Sequence, residues 1–311
     1  MTNDISKIPI SHGSGQMRAQ SISIQVSTRE RCNAGCLFCI SRTTPGTKPQ
    51  EGIRDIHVCD TRRLRIGLNY ARQLGATHAV LTSRADPTQE DADYMRGLVS
   101  TCREYLPLVD MHTNGFLLLP DKPKHRILHD LIDDGLTMIT FSIASFDPDV
   151  NRSLMIIREG AQRLIETVRD LGLLVRCSLV VNRNGVQNFD GVMDYIRKAG
   201  ELGAHMVVVR EVWVPPVYGE FHRDVYDWNG ENWIDIKPIQ DTFEEVASQS
   251  DNVYGLRELN PLPWGTPVFV VGGVFSDQQH GVNVTFARCE EATIGSVLKS
   301  IVHRDIVNSC G

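Results

Sequence analysis

What most constrains this chain is a repeated alternation of short, β-branched apolar runs with amphipathic segments that stop at glycine. The runs Ser21–Thr28, Ala79–Ser83, Leu108–His112, Thr137–Ile143, Leu173–Val181 and His205–Trp213 read as strands: each is short and rich in residues that pack well on a pleated surface. Between them, Thr61–Leu74, Gln89–Tyr105, Lys124–Asp134, Gly160–Leu171 and Phe189–Leu202 carry apolar residues at helical spacing. Four of these helical segments run into Gly75, Gly135, Gly172 or Gly203, the residue type that most easily takes the left-handed turn closing a helix. The strands recur at roughly 30 residues, the length of one strand–helix–strand unit. The first interval is longer and leaves room for a loop after Thr28.

Six such units make a parallel sheet, which must be covered by helices on its outer face. The expected fold is therefore α/β, a partial (β/α)6 TIM-like barrel over residues 21–214, after a polar N-terminal segment at 1–20. Residues 215–311 are expected to form a C-terminal extension on the substrate side, with further strands at Val268–Phe275 and Val282–Ala287. In such folds, ligands sit at the C-terminal ends of the strands. The formal net charge of −6 disfavours a general nucleic-acid binder, which normally shows a basic face. No apolar run reaches the roughly 20 residues that span a bilayer. The polar, Ser- and Gly-containing start has no signal-peptide core, so a cytoplasmic location is expected, where thiols stay reduced. Eight cysteines in that setting point to metal or redox chemistry.

Three of them stand together after the first strand, in Cys32-Asn33-Ala34-Gly35-Cys36-Leu37-Phe38-Cys39. The CxxxC and CxxC spacings let three thiolates converge from one loop. A [4Fe-4S] cluster bound wholly by protein uses four thiolates, so three leave one iron open to a small molecule. Phe38 would shield such a cluster from water, and Gly35 lets the chain turn around it. Zinc is the rival occupant, with His57 or another histidine as a fourth ligand; three buried structural thiols are the plainest alternative.

The triad, with an aromatic residue before its third cysteine and a strand before its first, resembles the radical S-adenosylmethionine (SAM) superfamily over about Ser21 to Trp213. That resemblance implies a [4Fe-4S] cluster on Cys32, Cys36 and Cys39 whose open iron is chelated by SAM. It also implies reductive cleavage of SAM to a 5'-deoxyadenosyl radical that abstracts hydrogen from substrate, and an electron donor such as flavodoxin or ferredoxin. The cofactors carry the hard chemistry, and the protein positions them.

Further positions follow from the same resemblance. Arg84-Ala85-Asp86-Pro87, after the second strand, stands where many members have Gly-Gly-Glu-Pro around the SAM amino group. Asp86 keeps an acceptor there, the glycines are absent, and Arg84 is either an anion contact or a solvated charge. Asn114, in His112-Thr113-Asn114-Gly115, matches a frequent Thr-Asn-Gly, although a tight turn also accounts for it. Ser142 and then Ser145, at the end of the fourth strand, stand where members approach the SAM ribose or carboxylate. Arg158 and Arg152 are candidates for the SAM carboxylate, a bidentate task that suits arginine, or are surface charges. Asn182, ending the fifth strand, is a candidate for ribose or adenine.

Of the other cysteines, only Cys289 and Cys310 lie in the extension, too few for an auxiliary cluster. Cys59 and Cys102 read as packing residues, while Cys177 and Cys289 are possible hydrogen donors or inert buried thiols. Trp213 to Tyr218, with Trp228 and Trp233, either roof the pocket or form the extension's core. Arg210, Glu211, His222 and Arg223 are polar groups available to a substrate. The leading expectation is an enzyme acting on a small molecule in a biosynthetic pathway. A ribosomal-peptide maturase is the alternative, weakened by the short segment before the first strand. A non-catalytic zinc or iron–sulfur protein is the alternative from another class.

Overall fold

Six parallel strands follow one another across the sheet in chain order: β1 (Ser21–Gln25), β2 (His78–Thr82), β3 (Leu108–Thr113), β4 (Met138–Ser142), β5 (Leu174–Val181) and β6 (Met206–Glu211). The computed structural model describes residues 19–26, 31–43, 61–214, 223–262, 266–272 and 281–287, with the backbone of a short antiparallel pair, Ser11–His12 and Gly15–Gln16. Each of these six predicted strands is present, its ends within one to three residues of the expected ones and β3 one residue longer. The α/β partial barrel is an open sheet. After β6 the order continues β9 (Val282–Ala287), β8 (Val268–Val271), β7 (Leu256–Leu259), with β9 parallel to β6 and the last two pairings antiparallel.

The helices are α1 (Ile40–Thr43), α2 (Thr61–Gln73), α3 (Ala92–Tyr105), α4 (Ile127–Asp133), α5 (Pro148–Met155), α6 (Ile165–Asp170), α7 (Phe189–Glu201), α8 (Arg223–Asn232) and α9 (Lys237–Ala247). The four glycines after α2, α4, α6 and α7 hold φ of +95°, +107°, +85° and +95°, the left-handed stops that the sequence implied. The segment predicted as one helix over 160–171 is a 3-10 turn, Ala161–Leu164, leading into α6.

Strand alternation splits the sheet into two unlike faces. Ile22, Ile24, Ala79, Leu81, Val109, Met111, Ile139, Phe141, Val175 and Leu179 are buried on the helix-covered face. Sealing a side chain such as Phe141 there stabilises the fold by about 1.5–3 kcal/mol. The other face carries His78, Asp110, His112, Thr140, Ser142, Arg176 and Ser178, and lines the inside of the half-barrel.

The described part of 215–311 extends this same sheet through β7, β8 and β9. Its described core is phenylalanine-based: Phe243 of α9 meets Phe286 of β9 at 5.0 Å and Phe269 of β8 at 5.5 Å, ring centre to ring centre, in edge-on geometry. Of the tryptophans, Trp228 lies on α8 and packs toward the cysteine loop, while Trp233 is exposed. Residues 215–222, including His222, lie outside the described residues. Among the described residues, no helix is long and apolar enough to cross a membrane.

Candidate active site

The cysteine loop is held from three sides. Its backbone lies against the end of α5, with Gly35 N donating to Met155 O at 3.1 Å and Leu37 N to Leu154 O at 2.9 Å. Close approach explains Gly35, since a Cβ there would lie 3.1 Å from Ile156 Cβ. Ile156 itself sits at φ 46°, a left-handed conformation that a β-branched residue adopts at a steric cost. On the second side, Gln89 accepts from Asn33 N at 3.1 Å and donates to Arg31 O at 3.3 Å, tying the loop to the turn after β2. On the third, Asn114 Nδ2 donates to Asn33 Oδ1 at 2.8 Å and lies 3.7 Å from Cys32 Sγ. Phe38 packs with Ala34, Cys36, Phe116 and Val150 on the buried group Ala144, Leu154, Met155 and Ile157, its ring 6.3 Å from that of Trp228.

Cys32, Cys36 and Cys39 are each half-buried and free of disulfides. Burial pushes the Cys32 and Cys36 thiols up, and the charges of the neighbouring cysteines push them further. Three thiols gathered on one loop form a donor set for a cationic iron cluster. Asn33 Nδ2 is buried beside Cys32 without a hydrogen-bond partner, a donor left over for a sulfur or a ligand oxygen. Among the described residues, no three His, Cys, Asp or Glu side chains converge closely enough to hold a single metal ion. Tetrahedral zinc asks for sulfurs about 3.8 Å apart. A cubane takes a wider triangle, because each cysteine binds a different iron.

Asp86 sits in a dense set of hydrogen bonds at the strand ends. It is 4% exposed, and its carboxylate accepts from Thr88 N at 3.0 Å, from Thr88 Oγ1, from Thr113 Oγ1 at 2.9 Å and from Asn114 N at 2.6 Å. Burial raises its pKa and these donors oppose the rise. Asp86 thus pins the end of β2 to the end of β3. The local signal was Asp86-Pro87-Thr88-Gln89, a capping box in which Gln89 reaches back to Asp86 N at 3.3 Å. Gln89 and Asn33, both at the loop, escaped the sequence reading.

Asn182 is likewise spoken for. It is fully buried, donates to Val180 O at 2.9 Å and accepts from Asn184 N at 3.0 Å, shaping the turn after β5 rather than facing a ribose. Cys177 is buried on the helix side of β5, in register with Phe141 and next to Tyr195 of α7, and burial pushes its thiol up to about 12. It points away from the inner face of the half-barrel. Cys289 lies outside the described residues, as do Cys59 and Cys310; Cys102 is buried in the core.

Ser142 ends β4, half-buried on the inner face. Ser145 accepts from Asp147 N at 3.1 Å and serves the turn before α5. Arg84 is half-buried in the turn after β2. Arg158 is exposed, and Arg152 pairs with Asp149 on the surface of α5. Glycine is required at Gly115, whose φ is +75° and where a Cβ would lie 2.7 Å from Ala161 Cβ; it turns the chain immediately after Asn114.

No family model matches the chain. Among curated proteins it is 22% identical, over 242 residues, to a probable GTP 3',8-cyclase of Methanococcus aeolicus, covering 74% of this chain and 68% of that protein. It is 27% identical over 226 residues to the GTP 3',8-cyclase of Nautilia profundicola, covering 70% of this chain and 62% of that one. By sequence the chain is thus similar to proteins named as GTP 3',8-cyclases. Among solved structures, SuiB of Streptococcus suis bound to S-adenosylmethionine is 15% identical with a TM-score of 0.49, covering 75% of this chain and 46% of SuiB. The radical SAM coproporphyrinogen III oxidase of Escherichia coli is 12% identical with a TM-score of 0.42, covering 83% of this chain and 67% of that one. The chain thus spans less than half of SuiB and about two thirds of the two cyclases.

Proposed function

We propose that Cys32, Cys36 and Cys39 carry the [4Fe-4S] cluster, and that the chain cleaves SAM reductively to act on a polar small molecule in a biosynthetic pathway. Held by Cys32, Cys36 and Cys39, the cluster would supply the one-electron reduction of SAM that initiates hydrogen abstraction from the substrate. The observation that carries this reading is the loop's suspension: Asn114 and Gln89 fix its first cysteine to the C-terminal ends of β3 and β2, where a half-barrel receives ligands. Phe38, with Trp228 across from it, excludes water from the loop. Ser142 and Arg84 are the candidate groups for the polar atoms of SAM, with Arg158 and Ser145 further out. Asp86 and Asn182 act by holding the strand ends in place. The electron comes from a flavodoxin or ferredoxin.

The test is 5'-deoxyadenosine formation by the anaerobically reconstituted enzyme with SAM and a strong reductant, with Cys36→Ala beside it. Product from the wild type, together with about four irons per chain that Cys36→Ala fails to retain, supports the reading. Zinc without sulfide would sink it. GTP is the first substrate to add, because the curated relatives are named for cyclising it. A rise in 5'-deoxyadenosine with GTP would place this chain beside them, and no rise would send the search to other polar molecules.

A further inference from the structure

Among the described residues, a positive φ falls on glycine everywhere except at Ile156, which closes α5. Left-handed backbone crowds a Cβ against the neighbouring carbonyl, and a branched Cβ makes the crowding worse. The chain closes α2, α4, α6 and α7 with glycine, the residue that takes this conformation without strain. Burial does not offset the strain at Ile156, which is 53% exposed. Its neighbour Ile157, 5% exposed, is the one packed with Leu154 and Met155. On grounds of stability alone, glycine would serve better here.

What sets this helix end apart is its neighbour. At the four glycine stops, the glycine N–H turns back on its own helix, to Arg72 O and Ile132 O at 2.9 Å and to Arg169 O and Gly200 O at 2.8 Å. At the end of α5 the cysteine loop does the capping: Leu154 O accepts from Leu37 N at 2.9 Å and Met155 O from Gly35 N at 3.1 Å. The Ile156 side chain continues that contact. Its Cβ, Cγ2 and Cγ1 lie 3.1, 3.4 and 3.7 Å from the point where a Cβ on Gly35 would stand. The Gly35 carbonyl in turn lies 3.5 Å from Arg42 Nη1, a donor on α1. Gly35 immediately precedes Cys36, so Ile156 lies against the stretch of backbone that sets where this thiol points.

We propose that Ile156 is a positioning residue for the iron–sulfur cluster: its side chain backs the loop at Gly35, fixing the backbone that carries Cys36 and keeping water from it. Ile156 acts through Gly35 rather than as a ligand. The strain of its backbone is kept because glycine, the better helix stop, would leave the loop without this backing. The inference deepens the proposed function and rests on its assignment of the cluster to Cys32, Cys36 and Cys39. It has one distinctive consequence: at this position, stability of the fold and retention of the cluster pull in opposite directions.

The test compares Ile156→Gly and Ile156→Val with the wild type, as the full apo chain and after anaerobic iron–sulfide reconstitution. In urea unfolding of the apo chain, Ile156→Gly is expected to show a midpoint at or above that of the wild type, because relief of the left-handed strain offsets the freedom glycine adds to the unfolded chain. After reconstitution, the same variant is expected to release iron to a chelator about tenfold faster, the low end for groups that orient metal ligands without binding the metal. Ile156→Val keeps the branched Cβ against Gly35 and should match the wild type in both measurements. A residue that merely packs would lose stability and iron together. A lowered apo midpoint for Ile156→Gly, iron release at the wild-type rate, or a valine variant as leaky as the glycine one would each overturn the proposal. A wild type that takes up no iron and sulfide would strike the cluster assignment itself, and this inference with it.

Discussion

Arg176 and Cys177 are neighbours on β5 and belong to different worlds. Cys177 faces the helices, fully buried among apolar side chains, with Phe141 beside it in register. Arg176 faces the half-barrel and closes a network of two histidines, a threonine and a buried aspartate on adjacent strands. On the first face any side chain of suitable volume and polarity serves, because burial alone does the work. On the second, each polar group is tolerated only through its partners, so removing one member exposes the cost of the rest. The difference separates a packing residue from a site residue more sharply than residue type does, since a cysteine looks more reactive on paper than an arginine.

The largest expected effect is on the lumen side. Arg176→Ala leaves the Asp110 carboxylate buried without its cation, and a loss of about 4 kcal/mol in urea unfolding is expected. Adding Asp110→Asn to it should return a substantial part of that loss. If the second change made matters worse by its full single-variant cost, the two side chains would be independent and the network reading wrong.

Next comes Asp86→Ala, expected to cost about 3 kcal/mol, since it strips a buried carboxylate from four donors at the junction of β2 and β3. Because Asn114 and Gln89 hang from that junction, iron retention should fall with stability. A variant that folds as well as the wild type but binds SAM weakly would restore the cofactor-contact role to Asp86.

A pH series sharpens the contrast without a change in side-chain size. Burial would raise the Asp110 carboxyl, but the hydrogen bond from His112 and the charge of Arg176 prevail and hold it below the usual carboxylate range. A depressed pKa contributes stability above the unfolded value of about 4, and that contribution is lost as pH falls through the folded value. The stability gap between wild type and Asp110→Asn should therefore be flat from pH 8 to about 5 and narrow below about 4. A flat gap down to pH 3 would mean that the carboxylate is not the charged centre of the network.

How much of this was legible follows the range of the forces involved. The strands, the helices between them and the four glycine stops were readable because each is a local periodic signal. The helix α5 was missed because eight residues carry too short a periodic signal, although Asp147-Pro148 is an N-cap with proline in the first helical turn. The extension's place on the sheet edge was not legible, since β9 pairs with β6 across a long stretch of sequence. Within the site, the cysteines were plain from their spacing. Asp86 was drawn to the cofactor by its place in a family pattern, while the capping box beside it carried the local physics. The lumen network left only a faint trace, Asp110 and His112 two apart on one strand; its meaning depends on Arg176, which only folding brings alongside.

The smallest effect is the most discriminating. Cys177→Ala removes one sulfur from a packed core, and a cost of about 1–2 kcal/mol is expected, with no accompanying unsatisfied polar atom. The yield and rate of 5'-deoxyadenosine should be unchanged, and so should turnover once a substrate is known. A hydrogen donor would behave otherwise: turnover would stop after abstraction while SAM cleavage continued, and that uncoupling would show that β5 presents its thiol to the substrate. The burial of Cys177 against Tyr195 and Phe141 argues for the first outcome, because a thiol sealed under helices has no path to a radical formed on the opposite face of the same strand.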